Sequence, residues 1–385
     1  MPPAPCSLPE EILITGACGF VGSTLVLELR KRHPEIAIHG IDNLIRKGSE
    51  TNIERLRAAG CSLLMGDVRK PADLEQVPPV DWVIDCAANP SVLAGVDGKS
   101  SSYDVMDHNL VGTLQLLEFC KKHQAGFLLL STSRVYSIPA LSAIPVEEHQ
   151  GAFCPEDKGM EHGAWSMAMG NAEPQAPSTL PSAPFSMKGI TESFSTSPPL
   201  SLYGMSKLCS ENLALEYAET FGFPVWINRC GVLAGAGQFG RADQGIFAYW
   251  INRWLRRKPL KYIGFGGKGY QVRDALHPRD LVPLLIEQMK DPGRKVEKIQ
   301  NLAGGANNSM SLKQLSAWCE NRFGPHEVSC DPQPRPFDLP WMVLDSARAK
   351  AQWGWEPQTP IREILEEIAQ HAEANPQWLD ISGNG

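Results

Sequence analysis

The run Glu11-Ile12-Leu13-Ile14-Thr15-Gly16-Ala17-Cys18-Gly19-Phe20-Val21-Gly22 decides how the rest of the chain is read. An apolar stretch ends at three glycines spaced three apart. Val21, Leu25, Val26 and Leu29 then recur at helical intervals until Pro34 breaks the pattern. Strand, glycine turn, helix is the context a dinucleotide-binding loop requires. Glycines let backbone N–H groups approach a pyrophosphate, and the helix dipole favours negative charge at that end. A purely structural glycine turn has similar spacing, so the neighbouring segments must decide.

The next strand, Ile36 to Ile41, ends in Asp42, an acid placed to bond adenosine ribose hydroxyls and repel a 2′-phosphate. That favours NAD over NADP, although Arg46 and Lys47 stand close by. Further strands are expected at Cys61 to Asp67, Trp82 to Ala88, Phe127 to Leu130 and Val225 to Arg229, with a helix from His108 to Lys122. Near-continuous apolar strands separated by helices imply a parallel sheet covered on both faces. Ligands of such sheets sit at the strands' C-terminal ends, where Gly16 to Gly22, Asp67, Ala87-Ala88, Thr132 and Arg229 fall. The fold class is therefore α/β, a Rossmann-type doubly wound parallel sheet with a smaller C-terminal substrate-binding lobe.

Ser201-Leu202-Tyr203-Gly204-Met205-Ser206-Lys207 opens a second informative helix, which Phe221-Gly222 closes. Tyr203 and Lys207 are four apart and share a helix face. An ammonium beside a phenol favours the phenolate, and such a phenol can take a proton and later return it. An ordinary helix can carry the same two residues, so the pair counts only together with the glycine loop.

A net charge of −7 and a pI near 5.8 argue against nucleic-acid binding by bulk electrostatics. Any anionic ligand must be held by local arginines or helix N-termini. Met1 to Pro9 lacks the pattern of a secretory signal, and no apolar run is long enough to span a bilayer. Ten singly scattered cysteines suit reduced thiols of a cytoplasmic protein and offer no metal site. The dinucleotide domain is expected over 10–234, with 274–304 returning to it, and the substrate lobe over 235–273 and 305–372. Residues 1–9 and 373–385 read as tails. Residues 137–200, rich in Pro, Ala and Ser at their centre, read as an insertion. It is either a partly ordered lid over the site or a passive surface excursion.

Taken in order, Thr15 to Gly22, Asp42, Thr132 before Val135-Tyr136, and Tyr203 to Lys207 resemble the extended short-chain dehydrogenase/reductases of the NAD-dependent nucleotide-sugar epimerase/dehydratase family. Within it, Asp42 to Ser49, Gln238 to Gly245, Gln271 to Asp274 and Leu276-His277 resemble the CDP-paratose 2-epimerases, also called CDP-tyvelose epimerases. The resemblance implies that Tyr203 is the general base and acid, that Lys207 holds the nicotinamide ribose and lowers the phenol's pKa, and that Thr132 bonds the reacting hydroxyl. It implies a NAD site formed by Gly16, Gly19, Phe20, Val21, Gly22, Asp42, Asn43, Asp67, Val68, Ala87, Ala88, Asn109 and Ser131 with Tyr203 and Lys207. The sugar nucleotide would meet Ser133, Arg134, Arg229, Gln238, Gln244 and Arg273. Arg229 could equally be a buried structural partner, and Asn109 a support of the fold. The implied partner is a nucleotide-sugar substrate, with neither nucleic acid nor membrane, in a homo-oligomer, dimer or tetramer.

Three departures bear on the substrate. Ser133-Arg134 stands where 4,6-dehydratases of the family carry an Asp-Glu pair, so dehydration is not expected. Gly237 replaces an Arg of many relatives, and Ser137 replaces a usual Gly. The implied reaction is epimerisation through a transient keto-sugar, at C2 of a CDP-linked deoxyhexose. The alternatives are a UDP-sugar 4-epimerase, a nucleotide-sugar dehydrogenase or reductase, and a dinucleotide-binding regulator without chemistry.

Overall fold

Ile12 and Ile14 pack on one side of their strand and Leu13 on the other, all fully buried. A strand covered on both faces demands this, and it explains why no polar alternation marks the segment. In the computed structural model, which describes residues 7–96, 98, 101–156, 185–186, 188–241 and 244–383, seven parallel strands form the main sheet. They are β1 (Glu11–Thr15), β2 (Ala37–Asp42), β3 (Ser62–Met65), β4 (Trp82–Asp85), β5 (Gly126–Thr132), β6 (Val225–Cys230) and, after one excursion, β8 (Ile299–Leu302). Their spatial order is β3-β2-β1-β4-β5-β6-β8. The order reverses between β1 and β4, which opens a crevice at the strands' C-terminal edge.

The two faces are closed by helices. α1 (Phe20–Arg32) buries Leu25, Val26 and Leu29 against Ile12, Ile14 and Trp226. On the opposite face α2 (Gly112–His123) and α3 (Leu202–Phe221) cover Leu13, Val83, Phe127 and Leu129. Each such aliphatic side chain contributes about 1.5–3 kcal/mol when fully removed from water.

The strand β7 (Val272–Leu276) centres the second lobe. It pairs in parallel with Val232–Leu233 and Trp341–Met342 and antiparallel with Ser309–Ser311. Beside it the aromatic helix α4 (Ile246–Leu255) packs Trp250 and Trp254 against Ile364, Leu365 and Ile368 of α5 (Ile361–Ala374). A further cluster, including Val135, Tyr136, Ile190, Val272, Trp341 and Leu344, joins the lobes.

One expectation changes. The stretch read as a C-terminal tail is packed where it is described, over 373–383: Trp378 and Leu379 are buried, Trp378 stacks on Phe239, and its Nε1 donates to the Gln238 carbonyl at 3.0 Å. Of the insertion 137–200, residues 157–184 and 187 lie outside the described residues. Its described ends are tied to the second lobe, Phe153 N donating to Tyr270 O and Ile190 N to Val343 O. Among the described residues no helix is long and apolar enough to cross a membrane, and the described cysteines are free thiols.

Candidate active site

The C-terminal ends of the sheet strands and the inner wall of the second lobe enclose one cavity of about 530 Å³. The glycine loop forms its floor at one end. Gly16 adopts φ +59°, and a Cβ there would press on the Ala87 and Cys86 backbone at 3.1 Å. A Cβ on Gly22 would lie 2.2 Å from the Gly16 carbonyl, so α1 can start only where its third residue is glycine. Gly19 caps the helix, no side chain caps it, and no acid occupies its first turn. The N–H groups and dipole of α1 therefore face the cavity unopposed, which is the cradle a pyrophosphate fits.

At the end of β2 the Asp42 carboxylate accepts from Cys18 N and Leu44 N, both at 2.8 Å, while burial raises its pKa. Asp67, at the end of β3, accepts from Arg69 Nη2 at 2.5 Å and from Asn43 Nδ2 at 3.1 Å. The Arg69 guanidinium holds this carboxyl well below the usual carboxylate range. Thr15 Oγ1 donates to Asp85 Oδ1 at 2.7 Å and accepts from Ala87 N at 3.0 Å, which locks β1 to β4 and shapes the Ala87-Ala88 wall.

α3 delivers the candidate acid-base group. Ser201 Oγ accepts from Gly204 N at 3.0 Å and caps the helix, so Tyr203 sits in its first turn. A Cβ on Gly204 would come within 2.2 Å of the Arg134 carbonyl; only glycine lets α3 approach the end of β5 this closely. The approach brings Tyr203 to the cavity wall that Thr132 also lines. Lys207 lies one turn further, 2% exposed, with no hydrogen bond or ion pair among the described residues. A buried ammonium of this kind calls for an acceptor, such as the hydroxyls of a cofactor ribose. Burial raises the Tyr203 phenol, and Thr132 and, more weakly, Arg134 act against that rise.

Further along the cavity Arg134 Nη1 donates to Phe337 O at 3.2 Å, and Arg273 Nη2 to Asp338 Oδ1 at 2.9 Å. Desolvation pushes Arg134 down to about 10 and lowers Arg273 as well. Gln238 donates to Leu233 O at 2.7 Å and leaves its buried Oε1 without a partner. Ser133 and Gln244 also line the wall.

The cavity thus gathers most residues picked from sequence: Gly16 to Gly22, Asp42, Asn43, Asp67, Val68, Ala87, Ala88, Ser131 to Arg134, Tyr203, Gln238, Gln244 and Arg273, apart from Ala17 and Cys18 of the loop. Arg229 is not among them and is corrected as a ligand. It lies 4% exposed in a forked pair with Glu211, at 3.0 and 2.7 Å, with the Tyr136 ring 5.1 Å from its guanidinium carbon. Glu211 also takes the Ser131 hydroxyl at 2.5 Å. Asn109 is likewise drawn away from the cavity. Its Nδ2 bonds Asn89 O and Ser206 Oγ, and its Oδ1 accepts from Asn89 N. Sequence reasoning passed over Arg335, Phe337 and Asp338, which reach the cavity from the segment Pro332-Gln333-Pro334-Arg335-Pro336-Phe337-Asp338. Its prolines announce a loop but not where the loop folds back.

Comparison with known proteins agrees with this geometry. The model of the family described as NAD dependent epimerase/dehydratase matches residues 12–155 and 178–303. The CDP-paratose 2-epimerase of Salmonella typhi is 24% identical over 371 residues, 93% of this chain and 98% of that protein. UDP-glucuronic acid decarboxylase 1 of Arabidopsis thaliana is 26% identical, over 92% of this chain and 68% of that one. Among solved structures, the UDP-glucose 4-epimerase of Thermotoga maritima with UDP-glucose superposes with a TM-score of 0.72, at 21% identity over 95% of this chain and 99% of that one. The UDP-glucuronic acid 4-epimerase of Bacillus cereus, in complex with UDP-glucuronic acid and NAD, gives 0.70 at 23% identity, over 94% and 99%. With the cradle, Tyr203 and Thr132 on one cavity wall and a family model that matches most of the chain, the chain belongs to the NAD dependent epimerase/dehydratase family and is an enzyme that uses NAD.

Proposed function

We propose that the protein epimerises a nucleotide-activated sugar by transient oxidation to a keto-sugar and re-reduction on the opposite face, at C2 of a CDP-linked deoxyhexose. What supports this reading is one cavity lined by Tyr203 and Thr132 and also by Arg134 and Arg273. Bound NAD supplies the acceptor, and later the donor, of the hydride. Tyr203 takes the proton of the ring hydroxyl as the carbon gives up its hydride, and returns that proton to the ketone oxygen when the hydride comes back. Thr132 aligns the hydroxyl, and Lys207 holds the nicotinamide ribose. Gly16, Gly19, Phe20, Val21 and Gly22 hold the pyrophosphate, Asp42 and Asn43 the adenosine ribose, and Asp67 and Val68 the adenine, while Ala87, Ala88 and Ser131 flank the cofactor. Arg273 and Gln238 take the diphosphate and the nucleotide, with Ser133, Arg134 and Gln244 around the sugar. In this assignment residues 10–234 with 274–304 serve the cofactor, and 235–273 with 305–372 the sugar nucleotide.

Two features favour epimerisation over dehydration and C2 over other carbons. No carboxylate follows Thr132, so the group that would expel water is missing from that position. The Salmonella typhi CDP-paratose 2-epimerase aligns along nearly its whole length. The solved neighbours named as UDP-sugar 4-epimerases support a second reading, epimerisation at C4 of a UDP-sugar. Incubation with CDP-paratose and with UDP-glucose, without added NAD, separates the two. Product that appears with no net change in NADH absorbance supports the epimerase, and the sugar nucleotide consumed identifies the carbon. Stoichiometric release of NADH would overturn it in favour of a simple dehydrogenase.

A further inference from the structure

Ser131, Arg229 and Asn301 stand level with one another on β5, β6 and β8, Arg229 being the register partner of both the others. Side chains at one level of a parallel sheet leave by the same face, so the three make a buried polar row. α3 covers it. Tyr203, Lys207 and Glu211 are spaced four apart on one stripe of that helix, all buried. Glu211 accepts from the Ser131 hydroxyl at 2.5 Å and from Arg229 Nε and Nη2 at 3.0 and 2.7 Å. Arg229 Nη1 donates to Tyr136 Oη at 3.3 Å, and that hydroxyl donates to Asn301 Oδ1 at 2.6 Å. Asn301 Nδ2 donates to Ile190 O at 2.9 Å, and Asn301 N to Glu192 Oε1 at 2.8 Å. One run of hydrogen bonds thus leads from Ser131, in the cavity wall beside Thr132, to Ile190 and Glu192, which do not line the cavity.

No buried side-chain nitrogen or oxygen along this run lacks a partner among the described residues. A buried network so fully satisfied favours one arrangement and resists piecemeal adjustment. At one end it fixes the stripe that carries Tyr203 against the end of β5. At the other it seats the segment 189–192, where Ile190 N also donates to Val343 O at 2.8 Å.

We infer that Tyr136 and Asn301 are positioning residues for the reaction at Tyr203, acting through Arg229 and Glu211. The seating of residues 189–192 and the placing of α3 against β5 form one cooperative unit. This rests on Tyr203 being the acid-base group and on the cofactor contacts proposed above. Coupling is reciprocal, so NAD held at Ser131, Tyr203 and Lys207 also tightens residues 189–192, which it does not touch. The Tyr136 hydroxyl is the link most cleanly removed, since its ring stays packed in the cluster that holds Val135, Ile190 and Trp341.

Hydrogen-exchange mass spectrometry of the peptide 188–194, in nucleotide-stripped protein and again at saturating NAD, tests this. NAD should slow exchange there about threefold or more in the wild type, the size expected when one hydrogen bond carries the coupling. In Y136F that protection should disappear, while NAD still protects the glycine loop from Gly16 to Gly22. S131A cuts the same run at the cavity end and should abolish the protection too; it decides the matter if Y136F does not fold. With the sugar nucleotide that the enzyme turns over, Y136F should lower kcat about tenfold and leave KM within about twofold. Protection of 188–194 that is absent in the wild type or equal in the variant overturns the inference, as does an unchanged kcat. The exchange measurement needs no sugar, so its failure is distinguishable from failure of the epimerase assay.

Discussion

Tyr203 without its hydroxyl keeps every apolar contact and loses only proton transfer. Y203F should therefore lower epimerisation about 10²–10⁴-fold while NAD affinity, measured by calorimetry on the stripped protein, stays unchanged. Arg229 is the opposite case. Replacing it with Met leaves Glu211 as an uncompensated buried charge, a loss on the order of 3–5 kcal/mol that denaturant unfolding would register. At this scale the cavity gathers the loop and strand-end residues picked from sequence, but neither Arg229 nor Asn109. A strand end is where ligands and structural partners both collect. Whether an arginine there turns to the cavity depends on Glu211, a helix residue 18 positions upstream that no local pattern links to it.

Close approach of α3 to β5 is a property of elements, and Gly204 controls it. G204A must displace the Arg134 carbonyl or the helix, since its Cβ would otherwise sit 2.2 Å from that oxygen. The expected outcome is a fall in kcat of at least about tenfold with NAD affinity little affected, because α1 and its glycine loop are untouched. Strand, turn and helix of the cofactor half were legible because each strand is a short apolar run closed by glycine, Asp or Thr. The second lobe was less so. Its strands are two to five residues long, and the partners of β7 come from three distant segments, so pairing is decided by contacts no local pattern encodes.

Acid stability belongs to the molecule as a whole and turns on His277, at the join between the halves. Its Nδ1 accepts from Arg279 N at 3.1 Å, so the proton of the neutral ring sits on Nε2, 3.3 Å from Glu367. That carboxylate does not rescue the imidazolium, because it already serves Arg279 at 2.8 Å, and a second ring proton would point at a backbone N–H. Burial and Arg279 push His277 down to about 3 from 6.5. The unfolded chain therefore binds the extra proton first, and stability falls as pH drops from about 6.5 toward 3. Thermal melts at pH 7 and pH 4 should show a larger loss for the wild type than for H277Q, by on the order of 3 kcal/mol. An equal loss in both would assign acid sensitivity elsewhere.

The short helix Trp378–Ile381 reaches further than its four residues suggest. Trp378 stacks on Phe239, Phe239 gives its carbonyl to Arg46, and Arg46 lines the cavity beside Asp42 and Asn43. If Asp42 and Asn43 hold the dinucleotide as proposed, affinity tags and reporter fusions placed behind this helix would pull on that grip. Expression at the opposite terminus is the safer design, and a protein shortened before Trp378 should be purified with its nucleotide already lost.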